Sequence, residues 1–302
     1  MPVRDPAAGD NRVAKIRDHT CMLTSTLEML EKAQSYGYAV GAFNLYNLEG
    51  AKAVVNAAEA DNSPAIIQIL PHILKYGGAP LIALFLEAAD SASVPMSVHL
   101  DHCEEADIIE MSLAAGIQSV LADGSKFSYE DNLAFTQEMT VLAHQKGATV
   151  EAEIGRISGT EDGMTVAEKE AKMTDPNQAR EFVAASRVDF LAVTIGNVHG
   201  KYYSEPRLDF DRLAQVRQRL DIPLVLHGAS GLPALMIQRS IELGVCKFNV
   251  NTEVRQKYLE FWREYGKTDS QVDLLDCQKA ATAAMQEIVA QKIRLFGSAG
   301  KA

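Results

Sequence analysis

The chain has little of what would staple it, anchor it in a bilayer or attach it to nucleic acid. Its four cysteines (Cys21, Cys103, Cys246, Cys277) are scattered along 302 residues with no CxxC spacing. That argues against a disulfide framework or a cysteine-built zinc site and suits reduced thiols in a cytoplasmic protein. No apolar run approaches the roughly 20 residues that span a bilayer, so no membrane partner is expected. The opening, MPVRDPAAGDNRVAKIRDHTC, has no apolar stretch of signal-peptide type. With Pro2, Pro6 and Gly9 set among charges, residues 1–21 are expected to form a poorly ordered leader. Positive charge is also scarce: 29 Lys and Arg stand against 40 Asp and Glu, a net charge of -11. Such a chain repels phosphate backbones, which sets nucleic acid aside as a partner but leaves room for a local pocket that takes one small phosphate. Finally, the segment GAFNLYN after the first apolar run is not the glycine-rich turn that a doubly wound dinucleotide fold carries there.

What is present is an ordinary globular composition, 47% hydrophobic and 23% charged, enough to build a core over residues 22–302 as a single domain. Eight short, nearly continuous apolar runs read as buried parallel strands: Ala39–Asn44, Pro64–Leu70, Pro95–Leu100, Ser119–Ala122, Thr149–Ile154, Phe190–Ile195, Pro223–His227 and Cys246–Val250. Amphipathic segments of helical length lie between them, among them Glu49–Asn62, Glu104–Ala115, Tyr129–Gln145 and Leu235–Leu243, and Gly116, Gly147 and Gly244 close three of these. Strand then helix, repeated eight times, predicts a (β/α)8 TIM barrel. Asp273–Phe296 reads as an additional C-terminal helix outside the repeat. The chemistry-bearing residues Asn44, Asp101, His102, Asp123, Glu151, Glu153, His199, His227 and Asn249 fall at or just past strand ends, where barrels keep their active sites.

Three of these are histidines in separate short motifs: His102 in HLDHC, His199 in IGNVHGKY and His227 in VLHGASG. Three imidazoles with an open position suit a catalytic zinc-type site. Asp101, beside His102, is then placed for proton transfer, and Glu153 in VEAEIG is a candidate alternate ligand. HGASG offers amides and the Ser230 hydroxyl to an anion. FNVNTE brings Asn249, Asn251 and Thr252 to a helix N-terminus, which suits a phosphate or simple N-capping equally. Glu161, flanked by Gly159 and Gly163, sits on a segment able to close over a substrate and act as general base. Lys247 is the one strand-end lysine in a buried apolar run; a Schiff base there would leave the three histidines unexplained.

Taken in order, HLDHC, ADGS, VEAEIG, SGTEDG, IGNVHGKY, LHGASG and NVNTE resemble the class II, metal-dependent ketose-bisphosphate aldolases. The resemblance implies a (β/α)8 barrel forming homodimers or homotetramers, one Zn2+ on His102, His199 and His227, and a small phosphorylated sugar as substrate. It implies Asp101 as the acid/base on the aldehyde-derived oxygen and Glu161 as the loop acid that exchanges the carbon-bound proton of dihydroxyacetone phosphate. Gly200, Gly228, Ser230, Asn249 and Thr252 resemble the phosphate cradle, Asn44 and Glu153 match polar residues lining the site, and Arg255 matches an arginine that meets the distal phosphate in some members. The backbone around Val198 resembles a monovalent-cation (Na+ or K+) site. Departures bear on the substrate. Leu70 and Pro71 stand where Ser or Thr is common, and Asn251 replaces an Asp or Ala that touches the sugar hydroxyls. An aldolase for a deoxyketogluconate phosphate, a barrel metallohydrolase and a sugar-phosphate-binding relic are the competing readings.

Overall fold

The computed structural model describes residues 23–161, 164–166, 172–200, 202, 205–267 and 273–302, with only the backbone described over 158–161 and 164–166. The expected leader, 1–21, lies outside the described residues. Eight strands close into a parallel barrel: β1 (Val40–Asn44), β2 (Ala65–Ile69), β3 (Met96–Cys103), β4 (Ser119–Ala122), β5 (Thr149–Ile154), β6 (Phe190–Val193), β7 (Leu224–Leu226) and β8 (Val245–Val250). β1 seals the barrel by pairing with both β2 and β8, with Ala42 opposite Asn249 and Phe43 opposite Ile67. The helices are α1 (Thr26–Tyr36), α2 (Leu48–Ala60), α3 (Pro71–Asp90), α4 (Ala106–Ala114), α5 (Tyr129–Gln145), α6 (Pro176–Ser186), α7 (Phe210–Arg217), α8 (Ala234–Glu242), α9 (Thr252–Tyr265) and α10 (Leu274–Leu295). No helix among the described residues is long and apolar enough to cross a membrane.

Helix α1 and the kink in α3 go beyond the strand-helix repeat expected from the sequence. α1 precedes the barrel. Its Met29, Leu30 and Ala33 pack on Val40, Ala42, Ile66, Phe190 and Val225 inside the lower barrel, and Thr26 donates to Ser97 Oγ at 3.0 Å. The helix thereby stoppers the N-terminal mouth and leaves the carboxyl mouth as the open end. α3 is kinked at Gly78 (φ 61°), two residues before Pro80, as a proline inside a helix demands.

The strand faces divide by the period-2 rule. On β8, Phe248 packs outward against the helical layer, while Lys247 and Asn249 point to the barrel axis. α10 belongs to this layer. Phe296, just past its end, stacks on Phe248 with ring centroids 4.8 Å apart, and both rings are fully buried. Phe296→Ala is therefore expected to cost about 3–5 kcal/mol, the usual range for truncating a buried phenylalanine. Denaturant titration should show the loss. A shift under about 1 kcal/mol would mean that α10 is peripheral to the core.

Candidate active site

The carboxyl mouth collects the polar strand-end residues. Asp101 and His102 are neighbours in β3 and would face opposite ways on a regular strand. His102 instead adopts φ 45°, and the β3–β4 register shifts between Leu100 and Cys103. The resulting irregularity turns both side chains toward the same cavity, an arrangement that strand alternation alone does not supply.

The three histidines meet there. The His102 ring lies 5.0 Å from His199 and 4.6 Å from His227, both edge to face. One nitrogen from each falls within 4.8 Å of the others, and His102 with Asp123 and Glu153 forms a second, overlapping group. Two of the rings are oriented from behind. His102 Nδ1 bonds Asp123 Oδ2 at 2.7 Å, and His227 Nε2 bonds Glu151 Oε1 at 2.7 Å. That leaves His102 Nε2 and His227 Nδ1 buried with no hydrogen-bond partner, as is Glu153 Oε2. Glu153 Oε2 lies 3.3 Å from His227 Nδ1 without meeting hydrogen-bond geometry. Leaving buried polar atoms unmet costs roughly 1–3 kcal/mol each, and bare imidazole nitrogens converging on one point are what a divalent ion requires. The residues fit such an ion.

The electrostatics agree. Burial opposes a charge on His102, but Asp101 and Asp123 outweigh it and hold its pKa well above the usual value. Burial likewise opposes a charge on His227, and the adjoining Glu151 and Glu153 carboxylates raise its pKa nonetheless. His199 goes the other way, well below its usual value, through burial and the two neighbouring imidazoles. Burial acts to raise the Asp101 pKa, yet His102, His227, Lys247 and His99 bring it below the usual carboxylate value. Both Asp101 oxygens are held: Asn44 donates to Oδ2 at 2.8 Å and Asn249 to Oδ1 at 3.1 Å.

The expected phosphate cradle is brought together in part. Ser230 Oγ and Thr252 Oγ1 are buried hydroxyls without partners at adjacent loops. The first turn of α9 has no side-chain cap, so its leading amides remain available. Asn251 does not cap it; its Oδ1 accepts from Tyr46 Oη at 2.8 Å. Gly228 has φ 67° and lies so close to Val198 that an added Cβ would sit 2.2 Å from the Val198 carbonyl oxygen. Tyr202 ties these loops together, accepting from Val198 N at 3.1 Å and donating to Gly228 O at 3.0 Å. Gly200 is buried with φ 86°. Asn249 differs from expectation: its amide is committed to Lys247 and Asp101 rather than open to an anion. Arg255 lines a cavity of about 250 Å³ with Asn44, Tyr46, Asn47, Val254 and Tyr258. Glu161 ends a short strand, Ser158–Glu161, that pairs with Met164–Val166 and with Val198–His199, Gly159 lying opposite His199. The Glu161 side chain lies outside the described residues.

A family model for class-II fructose-bisphosphate aldolase matches residues 24–301. The chain belongs to that family. It is a class II aldolase, a carbon–carbon lyase on the (β/α)8 barrel. It is 42% identical over 281 residues to the D-tagatose-1,6-bisphosphate aldolase subunit GatY of Klebsiella oxytoca, a match covering 92% of this chain and 99% of the relative. Among solved structures it resembles a Coccidioides immitis protein provisionally assigned as a fructose-1,6-bisphosphate aldolase (TM-score 0.86, 36% identity, 91% of this chain and 97% of that one). It also resembles the YdjI aldolase of Escherichia coli K12 (TM-score 0.83, 34% identity, 93% and 99%).

Several residues behind the aldolase site carry no distinctive mark in the sequence. Asp123 and Glu151 are visible only as strand-end acids, and Tyr202 stands in VHGKY without a mark. The signal for Glu151 is its period-2 partnership with Glu153, which puts both acids on the inner face of β5. Because Asp123 fixes the His102 ring, Asp123→Ala is expected to weaken divalent-ion binding by about 10–100-fold, measured by competition with a chelator. Wild-type affinity in that variant would remove Asp123 from the account. Acidification should weaken the same binding. Protons occupy His102 and His227 as pH falls below their raised pKa values, so the apparent affinity drops about tenfold per pH unit for each proton displaced. Affinity constant from about pH 8 to pH 5 would contradict imidazole ligation.

Proposed function

We propose that this aldolase cleaves a ketose 1,6-bisphosphate of the fructose or tagatose type into dihydroxyacetone phosphate and an aldehyde, with Zn2+ held by His102, His199 and His227 and Glu153 as an alternate ligand. The observation that carries the reading is the convergence of three imidazoles, two with bare buried nitrogens, beside an ionised Asp101. The bound ion supplies Lewis acidity for the substrate carbonyl and for the negative charge that builds as the carbon–carbon bond breaks. Asp101, held by Asn44 and Asn249, takes the proton of the C4 hydroxyl as the C3–C4 bond breaks and the aldehyde forms. Glu161 returns a proton to C3, completing dihydroxyacetone phosphate. Ser230, Thr252, Gly200, Gly228 and the α9 amides bind its phosphate. Arg255, with Asn251, faces the distal half of the sugar, and a monovalent Na+ or K+ near Val198 is part of the same reading. The 42% identity to a tagatose-bisphosphate enzyme supports that stereochemistry, while Asn251 keeps fructose bisphosphate and other aldehyde halves in the comparison. The enzyme is read as a cytoplasmic homodimer or homotetramer, without nucleic-acid or membrane partners.

A panel of ketose mono- and bisphosphates assayed for dihydroxyacetone phosphate release tests the substrate; no release from any phosphorylated ketose would overturn the reading. The two carboxylates separate by isotope exchange. Asp101→Ala should lose cleavage by about 10²–10⁴-fold yet keep some deuterium incorporation into dihydroxyacetone phosphate. Glu161→Ala should lose the incorporation as well. The reverse pattern would exchange their roles.

A further inference from the structure

Lys247 is fully buried in the middle of β8, where a barrel strand ordinarily carries an apolar side chain. Its ammonium has three hydrogens, and three acceptors surround it. Glu151 Oε2 lies at 2.8 Å and Asn249 Oδ1 at 2.8 Å. With the Gln68 amide turned to satisfy both its ends, its oxygen accepts from Nζ at 3.0 Å while its nitrogen donates to Ala42 O at 3.2 Å. A lysine so engaged has no lone pair to offer a carbonyl, so Schiff-base chemistry is not its task. Nor is stability a sufficient reason for it, since a buried ion pair often contributes no more than apolar groups of the same volume.

An ammonium only donates, and two hydrogen-bond chains leave it: it anchors Glu151 by Oε2, leaving Oε1 to His227, and it turns the Asn249 oxygen toward itself. Along the first chain, the Glu151 carboxylate only accepts. The His227 proton therefore sits on Nε2, 2.7 Å from Glu151 Oε1, and the lone pair sits on Nδ1, facing the other imidazoles. Along the second, the Asn249 oxygen is turned to the lysine, so the amide nitrogen faces Asp101 Oδ1 at 3.1 Å. We propose that Lys247 is a positioning residue that fixes, through Glu151, the ring tautomer and aim of His227 and, through Asn249, the aim of Asp101. The proposal rests on reading His227 as a metal ligand and Asp101 as the acid/base. One buried cation thus keeps the two halves of the site in register.

The test compares Lys247→Met with the double variant Lys247→Met/Glu151→Gln, using zinc affinity by chelator competition and kcat and KM for cleavage at saturating zinc. Lys247→Met is expected to bind zinc about 10–100-fold more weakly, the usual effect of losing an outer partner of a ligand. Its kcat should fall at least about tenfold, with KM little changed, because the loss concerns Asp101 and not substrate binding. The double variant buries no unpaired charge, so it should fold as exchanges of a buried pair for neutral groups usually do. The amide oxygen that Glu151→Gln introduces still accepts from His227 Nε2, so zinc affinity should return close to the wild-type value. Its kcat should stay low, because Asn249 still lacks its donor. This split between recovered zinc and unrecovered kcat is not expected of a purely structural lysine, and the double variant alone decides the matter if the single one does not fold. Wild-type zinc affinity and kcat in Lys247→Met, or joint recovery or joint loss of both in the double variant, would overturn the proposal. Failure of the wild-type protein itself to bind zinc would instead overturn the ligand reading beneath it.

Discussion

The Glu151–Lys247 pair at the barrel axis is the contact on which the upper half of the molecule depends. Both side chains are fully excluded from water. Burial alone would raise the Glu151 pKa, yet Lys247, with help from His227 and His99, holds it well below the usual carboxylate range. The carboxylate therefore stays an acceptor for His227. The same lysine, added to burial, drives the neighbouring His99 down to about 3, so that ring stays neutral and bonds Ser119 Oγ at 2.7 Å. The inner faces of β2, β3, β5 and β8 carry this polar network through a region where apolar layers would pack more simply. Desolvating two charges is costly unless geometry and extra hydrogen bonds compensate, and here every ammonium hydrogen has an acceptor.

The barrel sustains such a network by dividing labour along its axis. Below, α1 and the lower inward residues form an apolar stopper. Outside, the helices and the outward strand faces build a continuous apolar layer that includes α10. Above, the strands end in polar side chains, and the connecting loops are pinned together by Tyr202 and the close approach of Gly228 to Val198. His102 and His227 are thus set by barrel strand ends and by the carboxylates behind them, and His199 by the Val198–His199 segment paired with Ser158–Glu161, the kind of support that keeps a site within the tight tolerances catalysis needs.

Much of this is legible in the sequence because buried parallel strands are short apolar runs and barrel chemistry sits at their ends. The eight strands and the three histidines follow from that rule. α1 does not, because a single amphipathic helix before the first strand has no place in a repeating pattern. The turn at His102 is hidden as well: a left-handed residue that is not glycine leaves no mark in composition. Asn249 reads as an anion ligand because its position beside a helix N-terminus is visible while its partners on β3 and β8 are not. Lys247 looks at most like an amine nucleophile. What it does depends on Glu151, 96 residues away in the chain, and no local pattern connects the two.

The proposed chemistry requires His102, His199 and His227 to share one divalent ion. Diffraction from crystals grown with zinc, recorded on both sides of the zinc absorption edge, tests it most directly. One strong anomalous peak per chain is expected at roughly 2.0–2.1 Å from His102 Nε2, His227 Nδ1 and an imidazole nitrogen of His199. A peak that excludes any of the three rings, or no peak at the barrel mouth, would contradict it.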